Sequence, residues 1–485
     1  MNHTVGLLWY RSDLRTHDHR ALSEAARNHR QVEAVFLISA EQWRSHGVGG
    51  NQIDFMLRAL ASLQHSLRAL GVSLQVRAAP RFADAPTAIL QVAREVRASA
   101  VYAHAEPPLN ERRRDQDVGT QLRAAGIQWH LYDDERIVPA GTLRTGSDQP
   151  HRRFSSFKRA WLAQVVQNPT GVEQVPSPRP MDPPQAGSEP VPRVLPGFSP
   201  TLTDPSAWPA TESEANRRLA AFVERAIDRY HQRRDLPAGE ATSVLSPYLN
   251  FGLISARACL RAVLAHNQGE LQSGNPGVTA WVNELIWREF YREIATSFDH
   301  VSQHRPFNPT TDWRWPDNES AFAAWQQGRT GIPLVDAGMR QLQQTGWMHN
   351  RLRMVCAMFL SKQLLVDWRL GERHFIHHLV DADFSANNGG WQWCAGTGTD
   401  ATPYFRVFNP VRQAKRFDPE GVFVRTMLPE LDGLTGADVL EPWRLGAEAL
   451  HRRGYPQPIC DLTDARQRAL EFYSNAKSAT VSANG

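Results

Sequence analysis

MLRALASLQHSLRALGVSLQV, residues 56–76, changes its period once along its length. Met56, Leu60, Leu63, Leu67 and Leu70 step by four and three, one stripe of a helix. Val72 to Val76 then reads as a strand. The same alternation extends outward on both sides. Val5 to Trp9, Ala34 to Ile38, Val101 to Ala103 and Ile127 to Tyr132 are strand-like, and Ala88, Ile89, Val92 and Val96 form a second helical stripe. Strand–helix alternation requires a parallel sheet covered on both faces, so the N-terminal part is predicted to be a doubly wound α/β domain. Such sheets bind ligands at the carboxyl ends of their strands. No GxGxxG follows the first strand and no Walker loop occurs, which disfavours a dinucleotide held in the usual Rossmann manner.

The chain has 485 residues, enough for two or three domains with cores of their own. Charged residues at 21% and aromatics at 9% exclude wholesale disorder. No run of about 18 apolar residues exists to span a membrane, so no membrane association is expected. The start, MNHTVGLLWYRSDLR, lacks the features of a secretory signal. Cys259, Cys356, Cys394 and Cys460 are scattered without a CxxC pair. Disulfides and a thiolate zinc site are therefore not expected, and a reducing cytoplasm is the expected home. Lys and Arg number 54 against 50 Asp and Glu, a mild excess compatible with a polyanionic partner. Most of the fifteen tryptophans lie after residue 280.

Twelve of the 32 prolines fall between Asn168 and Pro209, a density that prevents regular helix and marks a connector. Beyond Thr211 the pattern is helix upon helix. The division read from sequence is an α/β domain at 1–135, a connector at 136–210 that is proline-rich from 168, and an all-α domain at 211–475.

Three helical segments carry polar groups that a core helix would not. In WVNELIWREFYRE (281–293), Asn283, Glu284 and Arg288 sit among aromatics on nearly every side. Glu284 and Arg288 suit a helix ion pair, but charges amid aromatics are either costly or functional. In TGWMHNRLRMVC (345–356), Trp347, Asn350, Arg351 and Met354 share a face, either the wall of a heteroaromatic pocket or an amphipathic surface helix. In DADFSANNGGWQWCAGTGTDATPYFRVFNP (381–410), glycines allow close approach and Trp391 and Trp393 offer stacking surfaces. A weaker feature is GEATSVLSPYL (239–249), where Thr242, Ser243 and Ser246 precede Pro247 and suit an anion-binding helix start. His374, His377 and His378 lack the acidic partner pattern of a metal site and read as packed or solvated, so no metal is expected. His17, Asp18 and His19 read as a polar loop after the first strand.

These segments, with LLWYRSDLRTHD at the start, NERRRD at 110–115 and DWRLGER at 367–373, resemble the photolyase/cryptochrome family, on the side of its bacterial class I cyclobutane pyrimidine dimer photolyases. The resemblance runs from about residue 5 to 470. It implies FAD, active as FADH⁻, held in a U shape by the helical domain. Tyr230, Thr242, Ser243, Val244, Leu245 and Ser246 would line its phosphates and ribityl chain. Trp281, Glu284, Arg288, Asn350, Arg353, Asp381, Ala382, Asp383 and Asn387 would surround the rest, with Arg353 and Asp381 flanking the ring and Asn387 beside its N5 atom. The implied reaction is light-driven repair of a dimer flipped out of UV-damaged DNA, single- or double-stranded. In it the excited flavin donates an electron, the cyclobutane ring splits and the electron returns. Trp287 and Trp393 would clamp the dimer, Met354 would pack on it and Glu284 would hydrogen-bond its carbonyl. Arg234, Asn350, Arg351 and Arg406 would contact DNA.

Trp391, Trp368 and Trp315 would relay electrons to the flavin, with Trp313 a rival for the last position. Asn350 and Met354 stand where (6-4) enzymes carry histidines, and Asn387 stands where plant cryptochromes carry aspartate. The rival reading is a cryptochrome-type blue-light sensor without repair activity. Asn110 and Glu111 would hold a second, antenna chromophore, 5,10-methenyltetrahydrofolate first and a deazaflavin as the alternative. Ser302 and Gln303 depart from the Cys and Lys of folate-binding relatives. A cytoplasmic, nucleoid-associated monomer with no obligate protein partner is expected.

Overall fold

The computed structural model describes residues 5–182, 187–403 and 405–483. Five strands form one parallel sheet: β1 (Val5–Tyr10), β2 (Gln31–Ile38), β3 (Ser73–Ala78), β4 (Ala98–His104) and β5 (Gln128–Tyr132). Their order is β3-β2-β1-β4-β5, so the chain reverses its direction of winding between β1 and β4. VGLLWY of β1 is buried along its whole length, as a strand covered on both faces must be. The covering helices are α1 (Arg20–Asn28), α2 (Gly50–Ala69), α3 (Ala85–Glu95) and α4 (Leu109–Ala124). The predicted stripe of α2 buries Met56, Leu60, Leu63 and Leu67.

The proline-rich stretch 168–209 holds no α-helix among its described residues, only single 3₁₀ turns. The region read as connector nevertheless contains a 14-residue helix just before it, α5 (Phe154–Gln167), which buries Phe157, Trp161 and Val165. After β5 the described residues form helices and turns without a further strand.

The chain divides into two compact units. Unit 1 comprises 1–200, 205–231 and 243–299, and unit 2 comprises 201–204, 232–242 and 300–485. The sheet unit thus takes in α6 (Glu212–Arg225) and α7 (Pro276–Ser297), beyond the boundary suggested by composition. The reason is chemical. Glu289 of α7 is buried and accepts hydrogen bonds from the Ile137 and Val138 amides and, at 2.6 Å, from the Trp161 indole of α5. Glu293 receives the Arg136 guanidinium and the Gly141 amide. Two buried carboxylates, whose partners outside α7 all lie within residues 136–161, commit α7 to this unit.

Unit 2 packs α8 (Pro333–Thr345), α9 (Asn350–Met358), α10 (Trp368–His378), α11 (Phe384–Ala395) and the long C-terminal helix α12 (Leu462–Ala483). Its core holds Trp325, Leu342, Leu352, Met358, Leu360 and Trp368, all fully enclosed.

His19 corrects the reading of residues 17–19 as a polar loop. It is buried, caps α1 by accepting from the Leu22 amide at 3.0 Å, and hydrogen-bonds Asp13 at 2.9 Å. His104 at the end of β4 approaches the same Asp13 oxygen at 2.9 Å, and its other nitrogen accepts from the Ala21 amide. These three are the one cluster of metal-ligand type among the described residues. Each imidazole already accepts from a backbone N–H, which turns its other nitrogen towards the Asp13 carboxylate, so the cluster is a closed hydrogen-bond network. His374, His377 and His378 form no such group: His374 is buried and stacks on His378 at 4.1 Å.

Candidate active site

In unit 2, α9 begins with a histidine cap. His349 Nδ1 accepts from the Arg351 amide at 3.1 Å, and burial brings its pKa down to about 4, so the cap stays neutral. The helix then presents Arg353 and Met354. Arg353 gives its Nε proton to the Met348 carbonyl at 2.8 Å, and its Nη2 contacts both oxygens of Asp381 at 3.0 and 2.8 Å. Asp381, 5% exposed, sits just ahead of α11. Asp383 caps that helix by accepting from the Ala386 amide, and its own amide donates to the Asp381 carbonyl. Asn387, one turn on, donates to the Glu372 carbonyl at 3.1 Å, which fixes the plane of its amide.

These groups line a cavity of about 160 Å³ together with Asn350, Ala382 and Trp391. The cavity fits part of a planar ring system that is rich in acceptors. It offers a guanidinium held by a carboxylate, a fixed amide, and in Trp391 a buried indole N–H with no partner among the described residues. Unit 2 therefore brings together Asn350, Arg353, Met354, Asp381, Ala382, Asp383, Asn387 and Trp391.

Unit 1 carries a second set on and around α7. Trp281 is 4% exposed, packs on Phe222 and donates to Ser243 Oγ at 3.4 Å. Arg288 donates to the carbonyls of Glu135 and Leu249, and Glu284 is half-buried. Tyr230 is buried against Phe222. In the 242–246 loop, Val244 has φ +50, a left-handed conformation that is costly for a β-branched residue and typical of strained functional loops. Leu245 is buried, Ser243 is half-buried and Ser246 opens a five-residue helix, whereas Thr242, also half-buried, belongs to unit 2. Trp287 lies flat on Phe154 of α5, ring centres 3.6 Å apart and planes 4° from parallel. Phe154 carried no signal in the sequence, because its helix sits inside what composition marked as connector.

The predicted DNA contacts in unit 2 are accessible. Asn350 and Arg406 are exposed, and Arg234, Arg351 and Trp393 are half-buried. Arg351 is held at 2.8 Å by Asp235 and lies over the Phe417 ring at 4.6 Å. Asp235 was also missed by sequence, since nothing local in RRDLP ties it to a residue more than a hundred positions away. Of the three relay tryptophans, Trp391 and Trp368 are enclosed, whereas Trp315 is half-buried among Trp313, Phe472 and Tyr473. Trp391 touches Phe375 and Trp325, and no ring contact joins the three to one another among the described residues.

In the first turn of α4, Asn110 donates to His46 at 3.0 Å, and Glu111 lies 3.9 Å from the same ring. Burial raises the Glu111 carboxyl to about 7, and its Oε2 has no hydrogen-bond partner among the described residues. A larger cavity of about 670 Å³ in unit 1, near Arg20, Arg136 and Arg179, contains none of the predicted residues. Its arginines are already engaged: Arg179 by the Ala26 and His29 carbonyls, Arg136 by Glu293. Size alone does not select the site.

Residues 6–180 match the family model of DNA photolyase, and residues 281–475 that of the FAD binding domain of DNA photolyase. The chain is 41% identical over 477 residues to the deoxyribodipyrimidine photo-lyase of Escherichia coli, covering 98% of this chain and 99% of that one. The crystal structure of a bacterial class III photolyase from Agrobacterium tumefaciens superposes with a TM-score of 0.88 at 33% identity, over 99% of this chain and 98% of that chain. A cryptochrome from Synechocystis superposes at 0.84 and 26% identity, over 97% of this chain and 100% of that chain.

Proposed function

The chain belongs to the DNA photolyase family and carries that family's FAD-binding domain, and on this premise we propose that it is a lyase that splits cyclobutane pyrimidine dimers in UV-damaged DNA under light. The observation that carries the reading is the cavity in unit 2 where the Arg353–Asp381 pair, Asn387 and the unpartnered Trp391 indole converge. Bound there in reduced form, FAD supplies the photoexcitable electron and takes it back. Arg353, immobilised by Met348 and Asp381, keeps a positive charge beside an anionic ring at no reorganisation cost. Asn387, tied to the Glu372 carbonyl, keeps its amide oxygen available for a ring N–H. By resemblance to the family, Ser243, Ser246, Trp281 and Arg288 would serve the rest of the cofactor.

The lesion reaches the site by base flipping, the route taken by base-acting enzymes, photolyases among them. Trp287 and Trp393 provide stacking faces for the two bases, and Met354 packs against them. Glu284 hydrogen-bonds the dimer carbonyl where negative charge accumulates. Arg234, Asn350, Arg351 and Arg406 hold the DNA. We place the antenna at Asn110 and Glu111, whose raised carboxyl pKa suits hydrogen bonding to a neutral pterin; methenyltetrahydrofolate is the first assignment and a deazaflavin the second. A cytoplasmic, DNA-associated monomer completes the reading.

The test illuminates reduced, flavin-loaded protein with a thymine-dimer oligonucleotide and follows intact thymine by chromatography. Thymines should be restored only in the light. No restoration, with flavin bound and reduced, would transfer the assignment to a light sensor of the cryptochrome kind.

A further inference from the structure

Between α9 and α10 the chain makes a π-helical turn, Phe359–Gln363. Such turns are uncommon and occur frequently at functional sites, because the extra residue re-aims the side chains that follow. Here it sends two consecutive polar side chains to one stretch of backbone. The Lys362 ammonium, 0% exposed, donates to Thr402 Oγ1 at 3.1 Å, to the Arg406 carbonyl at 3.0 Å and to the Pro403 carbonyl at 3.4 Å. Gln363 donates to the Phe408 carbonyl at 2.9 Å. Thr402 passes the constraint on: its amide and hydroxyl both donate to the Trp393 carbonyl, at 3.3 and 3.2 Å.

A buried lysine is costly to keep charged, and no carboxylate pairs with this one among the described residues. What it has is three oxygens for three N–H donors, although the Pro403 carbonyl also accepts from the Arg406 amide at 2.9 Å. A leucine or methionine would fill the space more cheaply. We propose that Lys362 is a positioning residue for DNA engagement, its ammonium holding Thr402, Pro403 and Arg406 against the end of α11 and so setting the placement of Trp393 and Arg406. This rests on the reading that Trp393 and Arg406 meet the DNA.

Deprotonation gives the clamp a signature that packing alone would lack. Burial lowers the Lys362 pKa to about 8, and a neutral amine has two donors for three acceptors. The other titratable groups facing it are Cys394, held up at about 12 by burial, Arg406, and Tyr473, whose ring lies 5.7 Å away and whose phenol burial raises further. Between pH 7 and 10 the ammonium is thus the group there that changes charge.

The experiment measures equilibrium affinity for a thymine-dimer duplex, and repair per absorbed photon at saturating DNA, for the parent, Lys362→Met and Thr402→Val. Lys362→Met should weaken dimer affinity at least tenfold while the flavin spectrum and the saturated repair yield stay at parental values. Parental affinity should fall as pH rises through 8, and the profile of Lys362→Met should be flat. Parental affinity in Lys362→Met overturns the proposal. Should that variant fail to fold, a flat parental pH profile together with unchanged affinity in Thr402→Val overturns it equally. Trp393→Ala and Arg406→Ala serve as controls. If both bind dimer DNA normally, the contact reading has failed and the clamp falls with it; if both are weak and Lys362→Met is not, the clamp alone is wrong.

Discussion

Arg351 shows how much of a functional residue's behaviour is set by neighbours that the sequence does not reveal. Its own motif identified it, but Asp235, which holds it at 2.8 Å, and Phe417, which lies beneath it, are distant in sequence. In DNA binding that carboxylate opposes the arginine, because a phosphate must compete for the same guanidinium. Arg351→Ala is expected to weaken binding to damaged and undamaged duplex alike and to reduce the salt slope by about 0.9 for each phosphate the side chain neutralises. Asp235→Asn should do the reverse at low salt, tightening binding to both DNAs. Fluorescence anisotropy titrations between 50 and 200 mM salt, roughly the range over which phosphate neutralisation is resolved, check both. A loss confined to damaged DNA in Arg351→Ala would mean that the side chain reads the lesion and not the backbone.

Single elements were largely legible from their periodicity, and less so where long-range satisfaction of buried groups decided their place. The stripe of α2 and the strands of the sheet follow from apolar spacing, which is local information. The place of α7 in unit 1 follows from Glu289 and Glu293, whose partners at 136–161 no spacing rule connects to them. Likewise, motif order singled out Asn387 and Trp287 as candidate residues, whereas the supports behind them, Glu372 under Asn387 and Phe154 beneath Trp287, are tertiary facts. The packing of α10 on α11 offers a direct test. A Cβ on Gly371 would lie 2.2 Å from Cη2 of Trp391, so Gly371→Ala must push the indole out of place. Overpacking of this kind costs about 1–3 kcal/mol. With Trp391 as first member of the relay, the variant should photoreduce bound oxidised flavin far more slowly, while chemically reduced protein still repairs dimers. Parental photoreduction kinetics in a variant of measurably lower stability would remove Trp391 from that role.

At the scale of the whole molecule, three histidines are buried in neutral form. Burial lowers His19 and His349 to about 4 and His374 to about 3, against an ordinary value near 6.5. Burial alone would raise Asp13, but the hydrogen bonds from His104 and His19 outweigh it and hold it well below its usual range. All four shifts act in one direction. The unfolded chain binds more protons than the native one as pH falls through 6.5 towards 4, so stability is fully present above about 6.5 and is lost below it. Burial raises Glu111 to about 7 and Asp336 to about 6, which acts the other way over the same range, so urea unfolding at pH 7 and pH 4.5 should differ by only about 2–4 kcal/mol in favour of pH 7. Equal stabilities at the two values would mean that these imidazoles become protonated without unfolding.

The discontinuity of unit 1 also has a consequence for its synthesis. The sheet is complete once residue 132 has been made, but α5, which ends at Gln167, must wait for α7, which begins at Pro276. The interval is 109 residues (276 − 167), about 5–20 s at the ribosome's rate of about 5–20 residues per second. Throughout it the Phe154 ring and the Trp161 indole lack the helix that covers them. The nascent chain must therefore carry a helix with an uncovered aromatic face after its sheet is complete, and release or stalling before residue 276 would leave that face open to chaperones or to other chains.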